Sequence, residues 1–375
     1  MNAIEIVFCA LAAIVNGRFV RPFRLAWLAM TLWTTVSFCS DAAEAVHLFD
    51  WMPAVEWVRA AGIVWFVVSA IVLTVRTMWR KSNEVDQGRR RLLRAGIPLA
   101  VAPAAALPFA IHKAHQEAEI REVELPVANL PKDLEGLKIV QISDIHLSPF
   151  YSREELRRVV DQANGLDADL GLITGDLITS YGDPLQAAVR ELSRLRARSG
   201  LYGCMGNHEI VAQAEEEAAR LGRLAGIRFL RSEAEVLRFG KAELNLAGVD
   251  YQRKHLPYLA GTEALIKPGM TNLLLSHNPD VFPVAAKQGW DATLAGHTHG
   301  GQVQLEYLHP SLNPARFYTP FVYGKYQLGQ AAMFVTSGIG TVGIPARLGT
   351  SPEIAMIRLV NLEKAVECRD GHLSD

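Results

Sequence analysis

The sequence predicts an α/β (α+β) domain preceded by an all-α transmembrane region. Apolar residues crowd into the first 112 of 375 residues, while from about residue 136 short apolar runs alternate with helical patterns, the signature of an α/β domain. A third observation is chemical: five of the short runs end in Asp, Asn or His. The expected organisation is a membrane region over 1–112 with about four helices, a linker and leading strand over 113–135, a catalytic domain over 136–362 and a tail over 363–375.

Composition narrows the function. A formal net charge of -1 with 21% charged residues gives no reason to expect a nucleic-acid partner. Mean hydropathy is +0.11, and the excess sits in the first 112 residues. Cys9, Cys39, Cys204 and Cys368 are scattered without a CxxC spacing, so neither a zinc knuckle nor a disulfide scaffold is indicated.

The apolar stretches are Met1–Ile14, Leu25–Cys39, Ala54–Val75 and Ala95–Ile111. The third reaches the roughly 20 residues that span a bilayer core, and the shorter ones need snorkelling flanks or local thinning. Within it Ile63–Leu73 is apolar all round apart from Ser69, whereas a water-facing helix needs a polar stripe. Arg18, Arg21 and Arg24 follow the first stretch. Arg76, Arg80, Lys81, Arg89, Arg90, Arg91 and Arg94 follow the third. Asp41, Glu44 and Asp50 lie between the second and third stretches, and Glu56 with the base Arg59 interrupts the start of the third. Basic loops stay cytoplasmic, so everything after residue 112 faces the extracytoplasmic side. Trp51, Trp57 and Trp79 fall at interfacial positions. Arg89–Arg94 also resembles a twin-arginine export signal, with Gly88 and Leu92 departing from it and Ala102-Pro103-Ala104 or Ala104-Ala105-Ala106 as cleavage sites. A retained fourth helix and a cleaved signal both deliver the remainder outside.

Strands are expected at Leu137–Ser143, Leu170–Thr174, Leu201–Met205, Leu244–Ala247, Asn272–Ser276, Ala292–Ala295, Ala332–Thr336 and Ile354–Leu359. A capping box at Ser152–Glu155 opens a helix with Leu156, Val159, Val160 and Ala163 on one face. Asp183-Pro184 opens another, with Leu185, Ala188, Leu192 and Leu195 facing the core; Asn278-Pro279 opens a third, closed by Gly289.

The residues just past these strands are more informative. Asp144-Ile145-His146, Gly175-Asp176, Gly206-Asn207-His208-Glu209, His277 and Gly296-His297-Thr298-His299 each end a run. Sites in open α/β sheets gather beyond the carboxyl ends of strands, so these groups can converge. Residues two apart in an extended segment point the same way, which pairs Asp144 with His146 and His297 with His299. Carboxylate and amide oxygens mixed with imidazole suit Mn, Fe or Zn. Seven such side chains exceed the needs of one tetrahedral ion, and two ions sharing a carboxylate fit better.

Through the ordered series D-x-H, G-D, G-N-H-E, H and G-H-T-H, the chain resembles the calcineurin-like metallophosphoesterase superfamily, and within it the bacterial membrane-associated or exported branch. The motifs are VQISDIHLSPF at 140–150, LITGDLIT at 172–179, GNHE at 206–209, LLSHNPDVF at 274–282, AGHTHGGQV at 295–303 and SGIGTVGIPARLGTSPEIAMIRL at 337–359. The resemblance covers about residues 121–362 and implies a two-sheet β-sandwich flanked by helices. It also implies that Asp144, His146 and His299 bind one divalent metal, that Asn207, His277 and His297 bind the other, and that Asp176 bridges them. A metal-activated water then attacks phosphorus in line, and His208 protonates the leaving oxygen or stabilises developing charge. Thr179 stands where many relatives carry a second acid that orients this histidine. Either Glu209 takes that task or His208 is held less strictly.

The function expected is a membrane-anchored two-metal phosphoesterase acting on phosphomonoester, phosphodiester or pyrophosphate bonds, with a lipid-linked or cell-envelope substrate favoured by the anchor. A membrane sensor or scaffold with an inactive metal-binding domain is the alternative. Arg347 is read as an ion-pair residue, Tyr318, Tyr323 and Tyr326 as packing residues, and His255, His309 and His372 as ordinary polar residues.

Overall fold

A computed structural model describes residues 108–363 apart from 255, 307, 308, 310 and 311. The four apolar stretches (save the last residues of the fourth), nearly all of the 363–375 tail, His255 and His372 lie outside the described residues. Among the described residues no helix is long and apolar enough to cross a membrane.

The described residues hold twelve strands in chain order. They are β1 (Glu119–Val127), β2 (Lys138–Ile142), β3 (Leu170–Thr174), β4 (Leu201–Cys204), β5 (Ile227–Phe229) and β6 (Glu233–Phe239). The rest are β7 (Ala242–Gly248), β8 (Thr271–Leu275), β9 (Ala292–Ala295), β10 (Gly324–Leu328), β11 (Ala331–Val335) and β12 (Glu353–Asn361). They form two six-stranded sheets, ordered β1-β12-β2-β3-β4-β5 and β10-β11-β9-β8-β7-β6. In the first, β2 through β5 run parallel; in the second, β7, β8, β9 and β11 do.

The pleat explains the layers. In β2, Ile139 points between the sheets while Val140 and Ile142 point outward; in β8, Leu273 and Leu275 point inward and Leu274 outward. The inner core joins Leu125, Ile139, Leu170 and Ile357 of one sheet to Leu244, Leu246, Leu294 and Phe334 of the other. Helices α1 (Arg153–Asn164), α2 (Leu185–Leu192) and α4 (Glu215–Leu224) cover the outer face of the first sheet, and α5 (Phe282–Gln288) covers the second. The result is the sandwich flanked by helices that the resemblance implied. Strands buried on both faces read as continuous apolar runs, which is why the central ones stood out in the sequence.

The helix starts follow local chemistry. Ser152 and Glu155 form the expected reciprocal capping box on α1. Asn278 caps a short 3-10 turn that leads into α5, and left-handed Gly289 ends it. Leu195 is buried but lies in the turn after α2 rather than on it. Strands β5, β6 and β10 and helix α4 were not expected. The three strands are all sheet edges, and β6 buries a single side chain, Leu237. Strand β1 falls inside the 113–135 segment and pairs in parallel with β12.

Candidate metal centre

The carboxyl ends of β2, β3 and β4 meet those of β8 and β9 at one end of the sandwich. Main-chain and side-chain bonds tie the two sheets there. The Gln141 amide donates to the Ala295 carbonyl at 3.1 Å, and the His297 N–H donates to Asp144 Oδ1 at 2.9 Å.

The loops that present the side chains are not extended. Asp144, His146, Asp176, His297 and His299 all have left-handed φ values, between 49° and 75°. The expectation of strand-like alternation is therefore corrected: the paired side chains reach the site through successive tight turns. Such conformations cost on the order of 1–3 kcal/mol each and persist where surrounding bonds over-determine them. Here the N–H groups of Ile145 and His146 both donate to the Asp176 carbonyl, at 2.8 and 3.0 Å. Glu209, at the start of the short helix α3 (Asn207–Val211), accepts from the N–H groups of Gly206, Asp176 and Leu177 at 2.7, 3.0 and 2.7 Å. Glycines 206 and 296 allow the approach. A Cβ at either would lie 2.1 Å from Asp176 Oδ1 or 2.3 Å from Asp144 Oδ2.

All seven side chains read as metal-type lie in this cluster of loops. Asp144, His146 and His299 form one group with ligand atoms within 4.8 Å of one another, and Asp176, His277 and His297 form another. Asp176 stands between them, with Oδ2 3.5 Å from His146 Nε2 and 3.0 Å from His277 Nε2. His297 and His299 thus serve different groups, although they are two residues apart. His146 Nε2 and His299 Nε2 face each other at 3.1 Å, and His299 Nε2 lies 3.4 Å from Asp144 Oδ1.

The donor set fits divalent cations. Asp144 Oδ2 and Asn207 Oδ1 are buried acceptors without a hydrogen-bond partner, which native interiors rarely tolerate. Oxygen and imidazole donors of this kind, with no sulfur, match Mn, Fe or Zn.

Electrostatics point the same way. Burial raises the Asp144 carboxyl to about 6, helped by Asp176 and opposed by His277. Burial also works against charge on Asp176, yet His277, His208 and His146 hold its carboxyl well below the usual carboxylate range. Burial lowers His277, but Asp176 and Asp144 outweigh it and raise it to about 10. Burial followed by the charge of His277 pushes His297 down to about 3. A site with one shared positive charge, two carboxylates and several neutral imidazoles is poised to exchange a proton for metal.

His208 lies within reach of His146 and Asp176 as a third group. Its Nδ1 donates to the Thr179 carbonyl at 2.6 Å, which leaves Nε2 for the open side. This corrects the expectation for Glu209: its carboxylate holds backbone N–H groups, and the main-chain oxygen of Thr179 orients His208. The Thr179 hydroxyl meets His146 Nδ1 at 3.2 Å. Arg347 is also corrected. It is fully buried and donates to the carbonyls of Ser337, Gly338, Gly340 and Ser351 rather than to a carboxylate, and burial pulls it down to about 10. It thereby holds the Ser337–Gly340 loop against the D-x-H turn, where the N–H groups of Ile339 and Gly340 donate to Ser143 and Asp144 carbonyls at 3.1 and 2.7 Å. Tyr251, whose ring centroid lies 5.4 Å from that of His297, was missed. It follows β7, a parallel neighbour of β8, and that position was the available signal.

Residues 137–301 match the Calcineurin-like phosphoesterase family. The chain is 30% identical over 246 residues to the uncharacterized metallophosphoesterase YkuE of Bacillus subtilis strain 168, a match covering 64% of this chain and 85% of that one. The chain belongs to the calcineurin-like metallophosphoesterases. The family is one of metal-dependent phosphoesterases, and the clustered His and Asp ligands agree with it. A Danio rerio protein named "Transmembrane protein with metallophosphoesterase domain" is 33% identical over 264 residues, covering 67% of this chain and 59% of its own length. The chain thus spans about three-fifths of that relative. An uncharacterized metallophosphoesterase of Helicobacter pylori strain J99 is 27% identical over 342 residues, covering 87% of this chain and 88% of its own. That is more of the chain than lies beyond residue 112, so the match extends into the N-terminal region.

Proposed function

We propose that this metallophosphoesterase hydrolyses phosphate esters or pyrophosphates with two divalent ions, and does so at the outer face of the cytoplasmic membrane. The observation that carries the two-ion reading is the place of Asp176, a carboxylate between two groups of buried imidazoles and oxygens. Bound there, two ions would supply Lewis-acid charge and activate a water for attack on phosphorus. Asp144, His146 and His299 would hold one ion; Asn207, His277 and His297 the other. His208 would face the substrate. As the imidazolium, with its Nδ1 proton engaged by Thr179, it would donate its Nε2 proton to the leaving oxygen or hold it against a phosphoryl oxygen as charge develops. Every ligand position is filled and brought together, which speaks against a catalytically silent scaffold.

The membrane part of the proposal rests on the hydropathy and charge of the first 112 residues. An anchor places the site near lipid head groups and favours a lipid-linked or envelope phosphate as substrate.

Hydrolysis of bis(p-nitrophenyl) phosphate by the chelated full-length chain, with Mn added back, tests the chemistry. Metal-dependent turnover is expected, abolished in Asp176→Asn and reduced about 10²–10⁴-fold in His208→Ala. Turnover that survives Asp176→Asn, or that needs no metal, would sink the reading. Membrane-extract phospholipids offered to the anchored chain and to an anchor-less version separate the lipid proposal. Equal rates on lipid and soluble esters in both forms would defeat it.

A further inference from the structure

We infer that Tyr251 is a positioning residue for the second metal site, holding His297 in the tautomer that leaves its Nδ1 free for the ion. The inference rests on the two-ion reading and concerns how one ligand is held.

Three imidazoles of the site are tied at Nδ1, while His299 turns Nε2 toward His146 and Asp144 with no hydrogen-bond partner at Nδ1. His277 Nδ1 meets the Thr174 carbonyl at 2.6 Å, His146 Nδ1 meets the Thr179 hydroxyl at 3.2 Å, and His208 Nδ1 meets the Thr179 carbonyl at 2.6 Å. Each therefore turns Nε2 toward the centre. His297 is the reverse: its contact is at Nε2, 3.4 Å from the Tyr251 hydroxyl. A neutral imidazole that binds metal through one nitrogen carries its proton on the other, and an acceptor for that proton fixes both tautomer and ring orientation. The phenol oxygen supplies that acceptor, so Nδ1 is the nitrogen left to bind.

Tyr251 is itself well placed to do this. Its ring lies 5.4 Å from the His297 ring and 6.1 Å from that of His277, filling the space beside both. Its loop is pinned. Asp250 accepts from Arg231 at 2.9 Å, the Gln252 amide donates to the Asp250 carbonyl at 2.9 Å, and the Asn278 amide donates to the Gln252 carbonyl at 2.7 Å. Asn278 directly follows His277, so the same loop that seats Tyr251 also braces the other imidazole of this group. The hydroxyl acts through His297 rather than on the phosphate.

Chelator-competition titration of zinc into the full-length chain tests this, comparing wild type with Tyr251→Phe and with Tyr202→Phe as a remote control. The ring is retained in Tyr251→Phe, and thermal melting of the metal-free proteins checks that the fold is too. The expected result is one ion bound as in wild type and one bound tenfold to a hundredfold more weakly, with Tyr202→Phe unchanged. The same loss is expected in a His299→Ala background, where the ion held by Asn207, His277 and His297 remains. Two wild-type affinities in Tyr251→Phe would overturn the role of Tyr251. Equal weakening of both ions with a lowered metal-free melting temperature would overturn it too, as the mark of a purely structural residue. A wild-type chain that binds one ion would instead overturn the two-ion reading beneath it.

Discussion

Asp176 and His277 share a buried charge, and that pair sets how the site responds to pH. His277 is raised to about 10 by the carboxylates against the pull of burial, so the metal-free site carries its proton at neutral pH. A proton on Nε2 and an ion at Nε2 exclude each other. Metal loading at pH 8 should therefore release about one proton, and affinity should fall as pH falls. Below about 6 Asp144 takes up a proton as well and steepens the fall. Calorimetry in buffers of differing ionisation enthalpy reads the release directly; zero protons at pH 8 would refute the pairing. In the metal-free protein the sign is the usual one for a raised histidine. Its contribution to stability is present below the unfolded value near 6.5 and is lost as pH rises through about 10. At this scale the candidate ligands were legible because each follows an apolar run. The left-handed turns that aim them were not, since Asp and His give no hint of φ. The Thr179 carbonyl was equally hidden, because a main-chain atom works whatever side chain it carries. Tyr251 was hidden because a tyrosine is not among the Asp, Asn and His residues that mark the other strand ends.

Among the elements, the loop from Ser337 to Gly340 ties the carboxyl end of β11 to the turn that presents Asp144. It leaves no room: a Cβ on Gly340 would lie 2.0 Å from the Ile145 carbonyl oxygen. Gly340→Ala should destabilise the domain by about 1–3 kcal/mol and weaken metal retention with it. Gly165→Ala, at a helix end with an ordinary φ of -71°, should change neither measurably. Denaturant unfolding and metal content of the two purified variants decide the matter. Equal, near-neutral effects would show that this loop does not hold the D-x-H turn. The same scale shows why some strands could be read and others not. Central strands β2, β3, β8 and β9 are apolar on both faces and bounded by site residues. Edge strands β5, β6 and β10 face water on one side, and their charged and polar residues hid them.

For the whole molecule, two parallel-rich sheets pack face to face with their strand ends at one edge, so residues from 144 to 299 meet although the chain crosses the sandwich between them. The alternation of strands and helices was enough to read the fold class. The pairing of strands into two sheets came from the family resemblance, because period and propensity do not say which strand joins which sheet. Two ions sharing the Asp176 carboxylate, as proposed, would also have their electrons coupled. Electron paramagnetic resonance of the full-length chain saturated with manganese reads that coupling. The prediction is a spin-coupled pair of Mn(II) ions in wild type that reverts to isolated Mn(II) in Asp176→Asn; an uncoupled single-ion spectrum from the saturated wild-type chain would contradict it.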